Sequence, residues 1–256
     1  MTEASALAGK VVTASVLIIG NEILSGRTQD ANLSYIAKGL SDAGVTLREA
    51  RVVPDVAEAI VAALNDLRFK FDYVFTTGGV GPTHDDITLE CVALAFGVPC
   101  RLHPEAHSVL KKWYEDEPEL LNPARLRMAT APDGSHLIID PVSGAMGFRM
   151  ENVFVMPGIP LIMRSMFDAL KPTLRAGCPL ISRSVRCDLP EGSIAKGLED
   201  IQRRHPNFEL GSYPWMEGDT FGTNLVVRGR DPAGIDAVSR ELMEMVRSLG
   251  GNPSEE

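Results

Sequence analysis

The chain has 256 residues, 45% of them hydrophobic and 23% charged, an ordinary globular composition that excludes a disordered chain. That length allows one large domain or two unequal ones, with a full core that needs no disulfide or metal staple. A formal net charge of −9 opposes a broad grip on nucleic acid or an anionic membrane, yet leaves room for a small phosphate site built from backbone amides and a cation.

In chain order, Met1 to Gly9 lacks the basic start and apolar run of a secretion signal. Ala14 to Ile19 predicts a buried strand, too short to span a bilayer, and Gly20 ends it. From Asn32, Leu33, Ile36, Ala37 and Leu40 recur at helical spacing, with Gly44 as the stop. Arg48 to Val53 predicts a second strand. Asp55, with Glu58 three residues on, forms a capping-box pattern for a helix whose stripe runs from Val56 to Leu67. Tyr73 to Thr76 predicts a third strand, then a Gly-rich loop and a helix from Asp86 to Phe96. A further helix covers Glu105 to Asp116. Leu137 to Ile139 and Val153 to Met156 read as strands, and Leu161 to Leu170 as a helix.

This alternation implies right-handed β-α-β crossovers and a mainly parallel sheet covered on both faces, the α/β/α class. Pro172, Gly177 and Pro179 then break the pattern. Beyond them come a strand (Arg183 to Cys187), a helix (Ser193 to Arg204), two strands (Phe208 to Tyr213 and Asn224 to Arg228) and a helix (Ala233 to Leu249), which predict a small α+β unit with a frayed tail from Gly250 to Glu256. The expected domains are therefore 10–174 and 180–250. The cysteines Cys91, Cys100, Cys178 and Cys187 form no C-x-x-C pair and have no zinc-completing histidine, so they read as reduced structural thiols of a cytoplasmic protein.

Parallel sheets bind ligands beyond the carboxyl ends of their strands, and three glycine-bearing segments follow predicted strands here: Gly20 to Gly26, Gly78 to Gly81, and Pro157-Gly158. The strongest runs from Thr76 through Thr77, Gly78, Gly79, Gly81, Pro82, Thr83, His84, Asp85 and Asp86 to Thr88. Glycines let successive amides approach an anion, with a helix N-terminus behind them. No Lys-Ser/Thr follows at Walker spacing. One aspartate is explained as a helix cap. A second beside a phosphate cradle would repel the anion unless a divalent cation lay between them, which favours a Mg²⁺-type site. Glu22 completes that ligand set, orients a water, or is a solvated loop carboxylate. Ser25 donates to a phosphate or pterin, or stabilises its turn. Asp55 combines a capping role with a place on the same sheet edge as Asp86. His84 reads as a solvent-facing loop residue, and Trp113 and Trp215 as core or domain-contact residues.

The pattern Gly20-x-Glu22-x-x-Ser25-Gly26, Asp30-x-Asn32, Thr77-Gly78-Gly79-x-Gly81-Pro82-Thr83-x-Asp85-Asp86-x-Thr88 and Pro157-Gly158-x-Pro160 resembles the CinA-type branch of the MoaB/Mog family over about residues 13 to 172. The resemblance implies a three-layer α/β fold that binds molybdopterin or an adenine nucleotide. It implies homo-oligomers, and metal-dependent cleavage of dinucleotide pyrophosphates such as ADP-ribose or FAD; the Mg²⁺, Mn²⁺ or Co²⁺ for that reaction is expected at the Asp85, Asp86 and Glu22 set read above from the residues. By position, Asp55 and Asp86 match the family's functional aspartates, and Thr76 to Gly79 its phosphate and pterin loop. Molybdopterin binding or adenylylation is the alternative activity, and a sensor without turnover a third. The family's C-terminal deamidase domain is not expected. Two stretches depart from its pattern: Ser143 to Gly147, and Leu161 and Ile162 in normally polar slots.

Overall fold

Parallel strands that end level with one another place every loop that follows them on the same edge. The computed structural model, which describes residues 11–175, 177 and 179–255, has this arrangement. The expectations for Met1 to Gly9, the Cys178 thiol and Glu256 lie outside the described residues. Contacts divide the chain into two units, 1–177 and 178–256.

The first unit is built on a six-stranded sheet with β1 (Val12–Ile19), β2 (Val45–Val53), β3 (Tyr73–Thr77), β6 (His136–Ile139), β7 (Met146–Met150) and β8 (Val153–Met156), in the order β2-β1-β3-β8-β7-β6. β2, β1, β3 and β8 run parallel, while β7 and β6 add antiparallel. Ile19 lies opposite Val53, Ile18 opposite Thr77, and Thr77 opposite Met156, so the four parallel strands finish at one level.

Alternation along the buried β1 serves both faces. Val12, Ala14, Val16 and Ile18 join Ile36 and Leu40 of α2 (Leu33–Asp42) and Met163 and Phe167 of α7 (Pro160–Leu170). Leu17 and Ile19 join Leu64 and Leu67 of α3 (Ala57–Lys70), Val92 of α4 (Thr88–Phe96) and Leu110 of α5 (Pro104–Trp113). The result is a three-layer α/β/α unit. Its remaining pieces are the one-turn α1 (Asn21–Leu24), the short α6 (Pro123–Arg127) and a two-stranded sheet of β4 (Cys100–Leu102) with β5 (Thr130–Pro132).

The second unit packs α8 (Glu191–Arg204) and α9 (Pro232–Ser248) with a four-stranded antiparallel sheet. Its strands are β9 (Ile181–Cys187), β10 (Glu209–Glu217), β11 (Thr220–Gly229) and β12 (Ser254–Glu255), in the order β10-β11-β9-β12. Val185, Leu225, Val227, Ile194, Val238 and Leu242 form its core. The tail is not frayed: Gly251 N–H donates to the Val246 carbonyl, Asn252 N–H to Asp188, and Ser254 then pairs with Arg186. The outer edge of β10 is blunted, because Pro214 has no N–H and Leu210 N–H donates to Gln202 Oε1.

Two helix starts differ from expectation. α3 begins at Ala57 after Val56, with no side-chain cap, so Asp55 and Glu58 do not form a capping box. α4 begins at Thr88 after Ile87, also without a side-chain cap. Both aspartates are drawn elsewhere, Asp55 to the Asn21 N–H and Asp86 to Thr83.

Phe75 on β3 is fully buried, stacks on Phe154 at 5.0 Å between centroids and meets Phe167 edge-on at 5.6 Å. Phe75→Ala should therefore destabilise the first unit by about 3–5 kcal/mol in urea denaturation. A loss below about 1 kcal/mol would show that this aromatic cluster does not hold the sheet to α7.

Candidate functional site

The three glycine-bearing loops converge. Gly78 N–H donates to the Met156 carbonyl at the end of β8, 3.3 Å away. A Cβ on Gly78 would stand 2.1 Å from the Ile19 carbonyl oxygen, and one on Gly158 would stand 3.3 Å from Gly78 Cα. Gly78 also has φ +97°, so both space and backbone conformation exclude a side chain there. Asn32, 4% exposed, donates from Nδ2 to the Gly158 carbonyl at 2.9 Å and ties the start of α2 into the junction. Asp55 closes the last side: its Oδ2 accepts the Asn21 N–H at 2.8 Å, which explains why it is not capping α3.

Thr88 clamps the phosphate-type loop from behind. Its hydroxyl donates to the Gly78 carbonyl at 2.9 Å and its N–H to the Gly79 carbonyl at 3.1 Å. With the carbonyls turned inward, the N–H groups of Gly79, Val80 and Gly81 find no acceptor among the described residues. Three consecutive unspent donors next to the N-terminus of α4 form an anion cradle.

Asp86 lies against this cradle, since a Cβ on Gly81 would meet its Oδ2 at 2.5 Å. Oδ2 accepts the Thr83 N–H at 2.9 Å and the Thr83 hydroxyl, while Oδ1 has no donor among the described residues. Asp85 is exposed. His84 is in solvent, 3.9 Å from Asp85.

The other expected residues separate by role. Thr76 is buried in β3 with its hydroxyl unpartnered, and Thr77 lines a small crevice. Ser25 Oγ donates to the Glu22 carbonyl at 3.3 Å and stabilises its turn. The Glu22 carboxylate folds back over Gly20. Among the described residues no group of three His, Cys, Asp or Glu side chains is placed to hold a metal, so Asp85, Asp86 and Glu22 do not assemble as a protein-only cation cage. The donors present fit a different kind of site. One free carboxylate oxygen beside an amide cradle suits a hard cation completed by substrate phosphate oxygens and water.

Two cavities flank the Gly78–Gly158 contact. A crevice of about 110 Å³ is lined by Glu22, Asp30, Asn32, Thr77, Gly78 and Gly158. An apolar cavity of about 310 Å³ is lined by Gly81, Trp113, Tyr114, Met128, Pro157 and Ile162, among others. Trp113 is 62% exposed and is not a core residue. Trp215, half-buried in the second unit, lies under the Arg186 guanidinium at 3.7 Å. Of the two apolar replacements, Ile162 faces the cavity while Leu161 is exposed. Asn32 and Thr88 entered the sequence reading only as motif positions, and Trp113 as a core or domain-contact residue. The pairing of a small buried amide with a glycine-rich neighbour loop was the available signal for Asn32.

A fold of this kind with an amide cradle at its strand ends defines a cofactor- or nucleotide-binding class of α/β protein. Residues 15–176 match the model of the "Probable molybdopterin binding domain" and 179–250 that of the "FAD synthase, middle domain". A protein of Aeropyrum pernix is 33% identical over 94% of this chain and 96% of its own length. A CinA-like protein of Geobacter sp. is 38% identical over 72% of this chain, which spans only 48% of that relative. The crystal structure of the protein CinA with unknown function from Thermoplasma acidophilum superimposes with a TM-score of 0.59 and 34% identity, covering 64% of this chain and 98% of that one. The chain belongs to the MoaB/Mog-like molybdopterin-binding domain family, in its CinA-type branch. No helix among the described residues is long and apolar enough to cross a membrane.

Gly78→Ala should collapse this edge. The Cβ would push on a backbone carbonyl that cannot yield, so a loss of at least about 1 kcal/mol in stability should accompany loss of nucleotide binding by calorimetry. Wild-type affinity in a folded Gly78→Ala protein would show that the close approach is dispensable.

Proposed function

We propose that the chain is a metal-dependent nucleotide pyrophosphatase acting on a dinucleotide diphosphate of the ADP-ribose or FAD type. The observation that carries this reading is the run of unspent N–H groups from Gly79 to Gly81 beside a carboxylate with one free oxygen. An amide cradle alone holds a phosphate; a carboxylate beside it is tolerable when a cation neutralises the pair. A divalent cation held by Asp86, with Asp85 at its side, would supply charge neutralisation and polarise the diphosphate.

The chain's own groups do the rest. The Gly79, Val80 and Gly81 amides donate to the phosphate oxygens and stabilise charge that builds on them during attack. Asp55, fixed through Oδ2 by Asn21, has its other oxygen available to orient a water and accept its proton. Thr83 holds Asp86 in place, so that carboxylate needs no reorientation when substrate arrives. Thr88 keeps the loop carbonyls turned away from the anion.

The test is product analysis of ADP-ribose, FAD and ATP incubated with Mg²⁺, Mn²⁺ or Co²⁺. AMP should be released from a dinucleotide by the wild type and roughly 10²–10³-fold more slowly by Asp86→Ala. Absence of turnover in every metal would overturn the reading. The apolar cavity would also accept a pterin ring, which favours molybdopterin binding or adenylylation as the second reading; a co-purified pterin, seen by its fluorescence, would support that instead.

A further inference from the structure

Arg127 ends α6 with a fixed backbone and a loosely held guanidinium. Asn122 caps the helix, its Oδ1 accepting the Arg125 N–H at 3.0 Å, and the Arg127 carbonyl accepts the Thr130 hydroxyl at 2.7 Å. The charged head is less committed. Its Nη2 donates to the Asp86 carbonyl and to Glu90 Oε1, each at 3.4 Å, while Nε and Nη1 have no acceptor among the described residues. A guanidinium fully engaged with a carboxylate stands about 2.8 Å from it, so both contacts are long. The pair with Glu90 is also wet, its side chains being 36% and 45% exposed. Arg125, two residues earlier, differs. It donates to the Leu120 carbonyl and lies over the Tyr114 ring at 4.9 Å, which builds it into the fold.

The contacts of Arg127 put it at the rim of the anion cradle. Asp86 precedes α4, Glu90 lies in its first turn, and the Asp86 carboxylate abuts Gly81. No other lysine or arginine among the described residues donates to the loop 78–88. That loop is short of positive charge for the proposed cleavage. A dinucleotide diphosphate brings two negative charges and Asp86 another, with the exposed Asp85 beside it, whereas a divalent cation supplies only two positive ones. A guanidinium that can move corrects the balance, and its planar fork suits two phosphate oxygens at once.

We propose that Arg127 is an anion-contacting residue restrained by Glu90. When a diphosphate occupies the amides, the guanidinium leaves Glu90 and closes on the phosphate from the α6 side. Glu90 is then a competitor of the ligand, setting how strongly the edge holds phosphate without touching it. This rests on the pyrophosphatase reading and adds to it a residue and the acid that restrains it.

The test titrates α,β-methylene ADP calorimetrically into the full chain with Mg²⁺. Arg127→Gln should weaken binding about tenfold, the worth of charge-assisted hydrogen bonds from one guanidinium. Arg127→Lys, which keeps the charge and loses the fork, should stay within about threefold of the wild type. Glu90→Gln should tighten binding about two- to fivefold, because the exposed pair that competes with the ligand is gone. In an Arg127→Gln background the same change should tighten it no further, a coupling that isolates the pair. Glu90 is on a solvent-facing turn, so its variant reports even where Arg127→Gln fails to fold. Four outcomes would overturn the inference: no binding of the probe by the wild type, wild-type affinity in Arg127→Gln, a lysine variant as weak as the glutamine one, or an equal Glu90→Gln gain with and without Arg127. Cleavage of a dinucleotide by a protein indifferent to Arg127→Gln would sink this inference and spare the pyrophosphatase reading. The expected binding pattern with no turnover in any metal would do the opposite.

Discussion

The whole candidate site depends on one contact, the approach of the Gly78 backbone to the Ile19 carbonyl, where no side chain fits. That contact exists because β1, β3 and β8 end level in the sheet, and it fixes which way the next three peptides face. Thr88 completes the arrangement by taking the carbonyls of Gly78 and Gly79. The amides of Gly79, Val80 and Gly81 meanwhile donate to no acceptor among the described residues. The anion affinity proposed for this edge would thus come from backbone packing, in a protein whose net charge is −9. No cluster of basic side chains is required.

The carboxylates around the cradle are divided among distinct tasks. Asp55 holds the loop after β1, Asp86 is held by Thr83, and Asp30 binds the start of α2. Each spends one oxygen on the fold and keeps the other. A carboxylate anchored in this way is oriented before any ligand arrives, which lowers the cost of reorganisation. The same economy explains why neither Asp55 nor Asp86 caps a helix, although local sequence favours both as caps.

Much of the fold was legible from residue patterns. Buried runs followed by glycine, such as Ala14 to Ile19 before Gly20, mark parallel strands, because such strands are apolar on both faces. The convergence of the three loops follows from that alone. What stayed hidden depends on contacts distant in sequence. β7 escaped because Gly147 and Arg149 interrupt any alternation, and its place is set by pairing with β6 and β8. The tail looked frayed because Gly250 and Gly251 suggest freedom, yet β9 offers it an open edge. Asp55 read as a cap because Glu58 completes a local motif, while its partner Asn21 is 34 residues away. Trp113 read as core because large apolar residues usually are; it is instead 62% exposed at the end of α5, where it lines the apolar cavity.

The proposed pyrophosphatase chemistry needs a divalent cation beside Asp86. The described residues supply no three-ligand cage, so the cation should depend on the substrate's phosphate oxygens for its place. Electron paramagnetic resonance of Mn²⁺ titrated into the protein, with and without α,β-methylene ADP-ribose, measures this directly. The account predicts weak Mn²⁺ binding by the protein alone, at least tenfold tightening when the nucleotide is present, and loss of that tightening in Asp86→Asn. Tight Mn²⁺ binding without nucleotide, or tightening that survives Asp86→Asn, would contradict it.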